Sequence, residues 1–320
     1  MQVHNDLNQL PVFRNAVATI GTFDGVHLGH QKIIKQLKQE AQKRAGESVV
    51  ITFSPHPRAV LAPHGQPLVL LTTLQEKILL LEKQQIDHLV VVPFTEAFSK
   101  LSATAYVRDF LVEKIHPHLL IIGYDHHFGH NREGNIDLLR KMAASHDFHV
   151  EEIPAQLIHD LTVSSTKIRT YLQSGKIHLA NELLGYPYFI SGKVVHGDKR
   201  GRQLGFPTAN IDPGDPHKLI PTEGIYVARA LLPSPVQQQA PTPETFDGAA
   251  NIGHAPTFNG TEKRVEVYLF DFDQSIYDQT LLLHLYDFIR ADQKFSNAAA
   301  LVDQMKEDVA KVKTRLKRYP

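Results

Sequence analysis

Ile20-Gly21-Thr22-Phe23-Asp24-Gly25-Val26-His27-Leu28-Gly29-His30 is the stretch on which the reading of this chain turns. A short β-branched run at 16–20 precedes it and an amphipathic pattern at 30–44 follows, so it reads as a strand-to-helix turn. Gly21 and Gly25 allow tight turning and close approach of a ligand to the backbone. The helix start beyond them offers free N–H groups and a dipole that favours phosphate. His27 and His30 can both face that phosphate and stabilise charge building on an attacked phosphorus. The plainer alternative is a glycine-rich turn with surface histidines, in a chain that has 19 of them.

Outward from this turn, strand-like runs recur at 48–53, 88–93, 119–122 and 148–153, with helical patterns at 74–85, 103–113 and 136–146. Strands alternating with helices of this length imply an α/β fold, a parallel sheet with crossover helices. Helices near 164–172 and 179–184 close this half. After Gly185-Tyr186-Pro187 the rhythm changes to strand-like segments at 189–195, 224–232, 249–252, 265–272 and 281–288. Little helix lies between them, which suits a small antiparallel barrel or sandwich. The Pro/Gln-rich stretch 233–245 reads as a long mobile hairpin loop without a function of its own, and the chain ends in an amphipathic helix. The expected domains are 1–184 and 185–320, in line with about two domains for 320 residues.

Composition narrows the classes. Lys+Arg and Asp+Glu are both 34, a balance that argues against a nucleic-acid or acidic-membrane partner. Without cysteine there is no disulfide, thiolate metal site or Cys nucleophile, which suits a reducing cytoplasm. The N-terminus lacks the basic start and apolar core of a signal peptide, and no apolar run approaches a membrane span.

Two further segments carry chemistry. Val163-Ser164-Ser165-Thr166-Lys167-Ile168-Arg169 sets hydroxyls before a helix and a cation in its first turn. Ser164 or Ser165 could simply cap the helix, but Arg169 sits poorly with the macrodipole unless a polyphosphate is bound there. Gly197-Asp198-Lys199-Arg200-Gly201-Arg202 leads into Leu204-Gly205-Phe206-Pro207-Thr208-Ala209-Asn210. A glycine loop among cations can wrap a polyphosphate through its N–H groups. Thr208 and Asn210 are oxygen donors that could hold Mg²⁺ beside ATP phosphates, and an ordinary hairpin and turn are the alternative.

G-T-F-D-G-V-H-L-G-H with S-S-T-K-I-R resembles the nucleotidylyltransferase superfamily. Phe53-Ser54-Pro55-His56-Pro57 and Gly123-Tyr124-Asp125-His126-His127-Phe128-Gly129 resemble, more narrowly, the FMN adenylyltransferase module of bacterial FAD synthetases. That resemblance implies that His27, His30, Ser164, Ser165, Thr166 and Arg169 hold ATP phosphates. It also implies that Gly21, Phe23, Asp24, Gly25, His56, Pro57 and Asp125 line the nucleotide and flavin cleft. His126 and His127 stand where the family has an aromatic residue and an arginine, while Arg132 and Gly134 keep its pattern.

The string G-x-x-x-G-R-x-L-G-F-P-T-A-N, followed by Asn251-Ile252-Gly253 and Val265-Glu266-Val267-Tyr268-Leu269-Phe270-Asp271-Phe272, is similar to the riboflavin kinases, a family of six-stranded barrels. The match implies that Gly197, Gly201, Arg202, Gly205, Phe206, Pro207, Thr208 and Asn210 bind MgATP. It makes Glu266 the general base toward the riboflavin 5′-hydroxyl, and it sets Arg290 in a flavin-covering segment with Asp292 in place of the usual glutamate. The chain is thereby identified as a member of the bifunctional riboflavin kinase/FMN adenylyltransferase family: a Rossmann-like domain and a barrel with a terminal helix. Riboflavin, FMN, FAD and ATP are the implied small-molecule substrates and products, Mg²⁺ the implied cofactor, and direct displacement the implied chemistry at both sites.

Overall fold

Six strands make up the sheet of the first half: β1 (Gln2–His4), β2 (Val17–Ile20), β3 (Ser48–Ser54), β4 (His88–Pro93), β5 (Leu119–Gly123) and β6 (His149–Ile153). The computed structural model describes residues 1–61, 67–123, 126–153, 163–198, 200–232, 244–257 and 260–319. Within it the chain divides into two compact units, Met1–Ser165 and Thr166–Pro320.

All pairings in this sheet are parallel, in the order β1-β4-β3-β2-β5-β6. Buried on both faces, β2 shows four buried residues in a row rather than alternation. The helices Leu28–Lys43, Leu74–Lys83 and Ile136–His146 arise where their periodic patterns predict. The pattern at 103–113 becomes a short α-turn running into a π-helix, Tyr106–Ile115, which ends on His116 in the left-handed region. Its buried Tyr106, Val107, Phe110, Leu111 and Ile115 face the sheet's core, each large apolar side chain contributing ~1.5–3 kcal/mol. The three-residue edge strand β1 and the short helix Pro57–Leu61 add to the predicted elements.

The chain runs from β2 out to β3 and β4, then returns past β2 to β5. Strand order therefore reverses between β2 and β5, and the crevice beyond their carboxyl ends is where open α/β sheets bind ligands. The turn at 21–27 follows β2 and borders that crevice.

The second unit opens at Thr166, within the helix Ser165–Gln173, and continues with the helix Ile177–Leu184. Strands β7 (Tyr188–Val195), β8 (Ala209–Asp212), β9 (Gly224–Leu232), β10 (Glu244–Thr257), β11 (Gly260–Leu269) and β12 (Thr280–Arg290) then close a barrel in the order β10-β11-β8-β7-β12-β9, every pair antiparallel. The barrel alternative is thus correct, with β8 as a strand the alternation did not reveal. Glu244 and Thr245 pair with Leu232 and Leu231 and belong to β10 rather than to a loop; residues 233–243 lie outside the described ones. Strand β11 stops at Leu269, three residues short of its predicted end. The terminal helix Ala298–Leu316 packs Val312 and Leu316 on the outer face of the barrel beside Val227, Ala249 and Tyr268.

Candidate functional site

In the first unit the turn after β2 is tied to its surroundings at nearly every residue. The Gly21 N–H donates to the Ile51 carbonyl at 3.0 Å. Phe23 and Val26 are both buried with φ of 47° and 35°, a left-handed backbone that side chains rarely adopt. For a β-branched valine this is an outlier, the kind of strain that persists only where the surroundings over-determine it. Those surroundings start with Asp24, 2% exposed. Its carboxylate accepts the backbone N–H groups of Leu71 and Thr72, each at 3.1 Å. The Thr72 hydroxyl accepts the Gly25 N–H at 3.1 Å, and the Ser165 hydroxyl donates to the Asp24 carbonyl at 3.0 Å.

His27 caps the following helix, its Nδ1 accepting the His30 N–H at 3.4 Å. The two imidazoles stack with centroids 3.7 Å apart and planes within 14°. The Phe23 ring lies 5.1 Å from that of His30, tilted by 58°. Burial, then the neighbouring His27 and then Lys77 hold the His30 imidazole well below its ordinary value, so it is neutral near pH 7. Its Nδ1 is buried with no partner among the described residues, a buried polar atom left for a ligand.

Lys77 was not legible as a site residue. It is 6% exposed, donates to Thr52 Oγ1 at 3.3 Å, and Thr52 in turn donates to the Thr22 carbonyl at 3.2 Å. Burial brings its ammonium down to about 8, against the opposing pull of Asp24. A lysine in an amphipathic helix reads as a solvent-facing residue. Here it underpins the turn.

Beyond β3, His56 Nδ1 accepts the Arg58 N–H at 3.2 Å and Pro57 begins the helix Pro57–Leu61. Phe53, Phe94 and Phe98 form an aromatic cluster with centroids 5.5–6.1 Å apart, continued by Tyr106 at 5.8 Å from Phe98 and Phe128 at 5.2 Å from Tyr106. In the segment after β5, Asp125 lies outside the described residues. His126 stacks on Phe128, and His127 Nδ1 lies 3.3 Å from the Gly134 carbonyl. Ser164 is exposed, Ser165 opens the helix Ser165–Gln173, and Thr166 and Arg169 follow on that helix in the second unit.

In the barrel, strand register assembles the constellation. Asn210 is paired with Glu266, and Glu266 with Asn251, so three polar residues from β8, β11 and β10 lie in one row. Val265 and Val267, 1% and 0% exposed, point inward, leaving Glu266 on the outer face. Thr208 Oγ1 donates to Glu266 Oε2 at 3.1 Å. Arg264 approaches Glu266 Oε1 at 3.6 Å and pairs with Asp198 at 2.9 Å, joining the glycine loop to the carboxylate. Nothing in a strand reading Lys263-Arg264-Val265-Glu266 announces that bridge.

The buried Asn210 amide fills the space where a side chain on Gly197 would go, 2.3 Å from such a Cβ. The Phe206 carbonyl does the same to Gly201, whose own carbonyl accepts the Leu204 and Phe206 N–H groups at 3.1 and 2.8 Å. Any larger residue at either position would force the loop off the strands. Phe206 packs on Tyr268 at 5.3 Å, while Arg202, Gly205 and Pro207 are exposed. Arg290 is held by Asp308 of the terminal helix through contacts of 2.7–3.1 Å, and it donates to the Ala291 carbonyl at 2.9 Å.

A strained turn at the switch point of a parallel sheet and a carboxylate beside a glycine loop on a closed barrel are arrangements suited to a two-part transferase of phosphate-bearing groups. The comparisons sharpen this. The family model for FAD synthetase matches residues 10–167, and that for riboflavin kinase matches residues 184–316. A bifunctional riboflavin kinase/FMN adenylyltransferase of Listeria monocytogenes is 39% identical over 92% of this chain and 90% of its own. The corresponding protein of Escherichia coli K12 is 35% identical over 97% of this chain and 93% of its own. A solved structure described as a macrolide-efflux protein from Streptococcus pneumoniae has a TM-score of 0.81 at 29% identity, covering 100% of this chain and 99% of that one. No helix among the described residues is long and apolar enough to cross a membrane. The chain belongs to the bifunctional riboflavin kinase/FMN adenylyltransferase family.

Proposed function

We propose that residues 185–320 phosphorylate riboflavin with ATP to give FMN and ADP, and that residues 1–184 transfer the adenylyl group of a second ATP to FMN, giving FAD and pyrophosphate. The observation that carries the first step is the register setting Glu266 opposite Asn210, with Thr208 on its carboxylate. Glu266 takes the proton of the riboflavin 5′-hydroxyl as its oxygen bonds to the γ-phosphorus and the bond to ADP breaks. The loop through Gly197, Gly201 and Arg202, continued by Gly205, Phe206 and Pro207, holds the nucleotide phosphates.

In the second step an FMN phosphate oxygen attacks the α-phosphorus of ATP and pyrophosphate departs. Neutral His30, with His27 stacked on it, contributes hydrogen bonds to the phosphate oxygens as charge develops, without the cost of burying a cation. Gly21 and Gly25 bring the backbone close to the nucleotide, and Phe23 and Asp24 act through the shape they impose on the turn. Ser164, Ser165, Thr166 and Arg169 contribute further phosphate contacts, with His56, Pro57 and Asp125 on the flavin and nucleotide side. The aromatic cluster around Phe53, Phe94 and Phe98 suits the flat flavin ring. Neither motif offers an obvious covalent nucleophile, and both steps are read as direct displacements.

Among the described residues no group of three or more His, Cys, Asp or Glu could hold a metal. Thr208 and Asn210 offer neutral oxygens beside Glu266, the hard donor type that Mg²⁺ takes in combination with phosphate oxygens. Bound there, Mg²⁺ would neutralise charge on the transferring phosphoryl group. Small molecules are the only partners in this reading, with no nucleic acid and no membrane, and the cytoplasm is the compartment.

The test is chromatography of flavins from the full chain with riboflavin, ATP and Mg²⁺. FMN appears first and FAD follows with release of pyrophosphate. FMN accumulating without FAD would remove the adenylyl step, and untouched riboflavin would remove the kinase step.

A further inference from the structure

We propose that Asn251 is a substrate-reading residue of the barrel site, accepting a hydrogen bond from the polyol hydroxyl next to the one that is phosphorylated. The inference rests on the kinase reading of Glu266. Ala250 and Ile252 are both 0% exposed and point into the barrel, so Asn251 faces outward beside Glu266, its direct partner across β10 and β11. Side chains so paired have Cβ atoms ~4.5–5.5 Å apart, a spacing that lets two neighbouring residues take two neighbouring hydroxyls of one chain.

The Asn251 amide is not consumed by the protein. Its Oδ1 is buried without a hydrogen-bond partner among the described residues. A buried acceptor left unpaired is costly, and its retention beside a reaction centre calls for a donor brought by a ligand. Ionised phosphate oxygens are acceptors and cannot fill that role; a hydroxyl can.

The surroundings leave room on one side only. Two residues along β10, Ala249 with its partners Val227 and Tyr268 packs against the terminal helix. Two residues the other way stands Gly253, where, among the described residues, a side chain would meet nothing closer than Asn251 Nδ2 and Asp292 Oδ2, each at 3.8 Å. Among the described residues, the outer face beside Asn251 is therefore polar and bounded by the covered patch.

Steady-state kinetics on the full chain, with riboflavin and with its 4′-deoxy analogue, test this. The unaltered protein prefers riboflavin. Asn251→Ala is expected to raise KM for riboflavin about tenfold, the scale of one lost hydrogen bond, and to abolish the preference while KM for ATP stays put. Asn251→Asp, which keeps an acceptor at that position, retains the preference and covers the case in which the alanine variant fails to fold. Equal losses on both flavins in Asn251→Ala, a shift confined to KM for ATP, or loss of the preference in a folded Asn251→Asp would each overturn the assignment. A wild-type chain that forms no FMN would overturn the kinase reading itself, and this proposal with it.

Discussion

The two regions proposed to handle phosphate use the same ingredients, glycines and a short run of polar side chains, but hold them by opposite means. After β2 the turn is buried and strained, with Lys77 beneath it, the Asp24 carboxylate tied to the backbone at 71–72, and two non-glycine residues in left-handed backbone. On the barrel the groups stand on the outer face, fixed by strand pairing and joined by half-exposed contacts such as Arg264 to Asp198. A site on an open parallel sheet has no register of its own at the crevice and must be braced from below. Antiparallel strands supply that bracing through their ladder, so the barrel's loop can stay near the surface.

The largest test of this contrast is Glu266→Gln. It should lower FMN formation by ~10²–10⁴-fold, the range for loss of a general base, and leave conversion of supplied FMN to FAD unchanged in the same preparation. Loss of both activities would merge the two sites. His30→Ala should do the converse, cutting FAD formation ~10²–10³-fold as for a lost charge-stabilising donor, with riboflavin phosphorylation intact.

The bracing itself is probed next. Asp24→Ala removes the carboxylate that accepts the buried Leu71 and Thr72 N–H groups and the negative charge that opposes the burial of Lys77. A destabilisation of ~2–5 kcal/mol is expected in the unfolding transition of the first unit alone; a lower melting point for the barrel as well would contradict local bracing. Acid should act on the same unit. Because His30 is held below 6.5 in the fold, the unfolded chain binds more protons between that depressed value and 6.5. The first unit therefore keeps this contribution above about pH 6.5 and loses stability as pH falls below it, a dependence that His30→Asn should flatten in thermal unfolding at pH 7.5 and 5.5. Smallest of all is Arg264→Ala. Its partners are exposed enough that each pair contributes ~0.2–1 kcal/mol, so kinase kcat/KM should fall less than tenfold.

How much of this was legible in the sequence depended on whether the information was local. The strands β2 to β5 stood out because buried parallel strands are apolar runs, and the two glycine strings stood out because tight turns leave few choices of residue. Strand β8 did not, since four residues reading Ala209-Asn210-Ile211-Asp212 resemble a turn until the ladder to Glu266 is seen. The pairing of Arg290 with Asp308 was not readable either, because the partner lies on another element 18 residues on. Lys77 escaped notice for the same reason: its partners Thr52 and Asp24 come from the strand and turn on which the helix packs. Long-range electrostatic pairing has no period.

The row Asn210–Glu266–Asn251 also limits how this protein can change over time. In a ladder with a two-residue repeat, adding or deleting one residue within β8, β10 or β11 would turn the affected side chains from the outer face to the interior. The kinase site can therefore drift by substitution but not by length, and insertions accumulated by descendants of this chain should gather in the connections between strands.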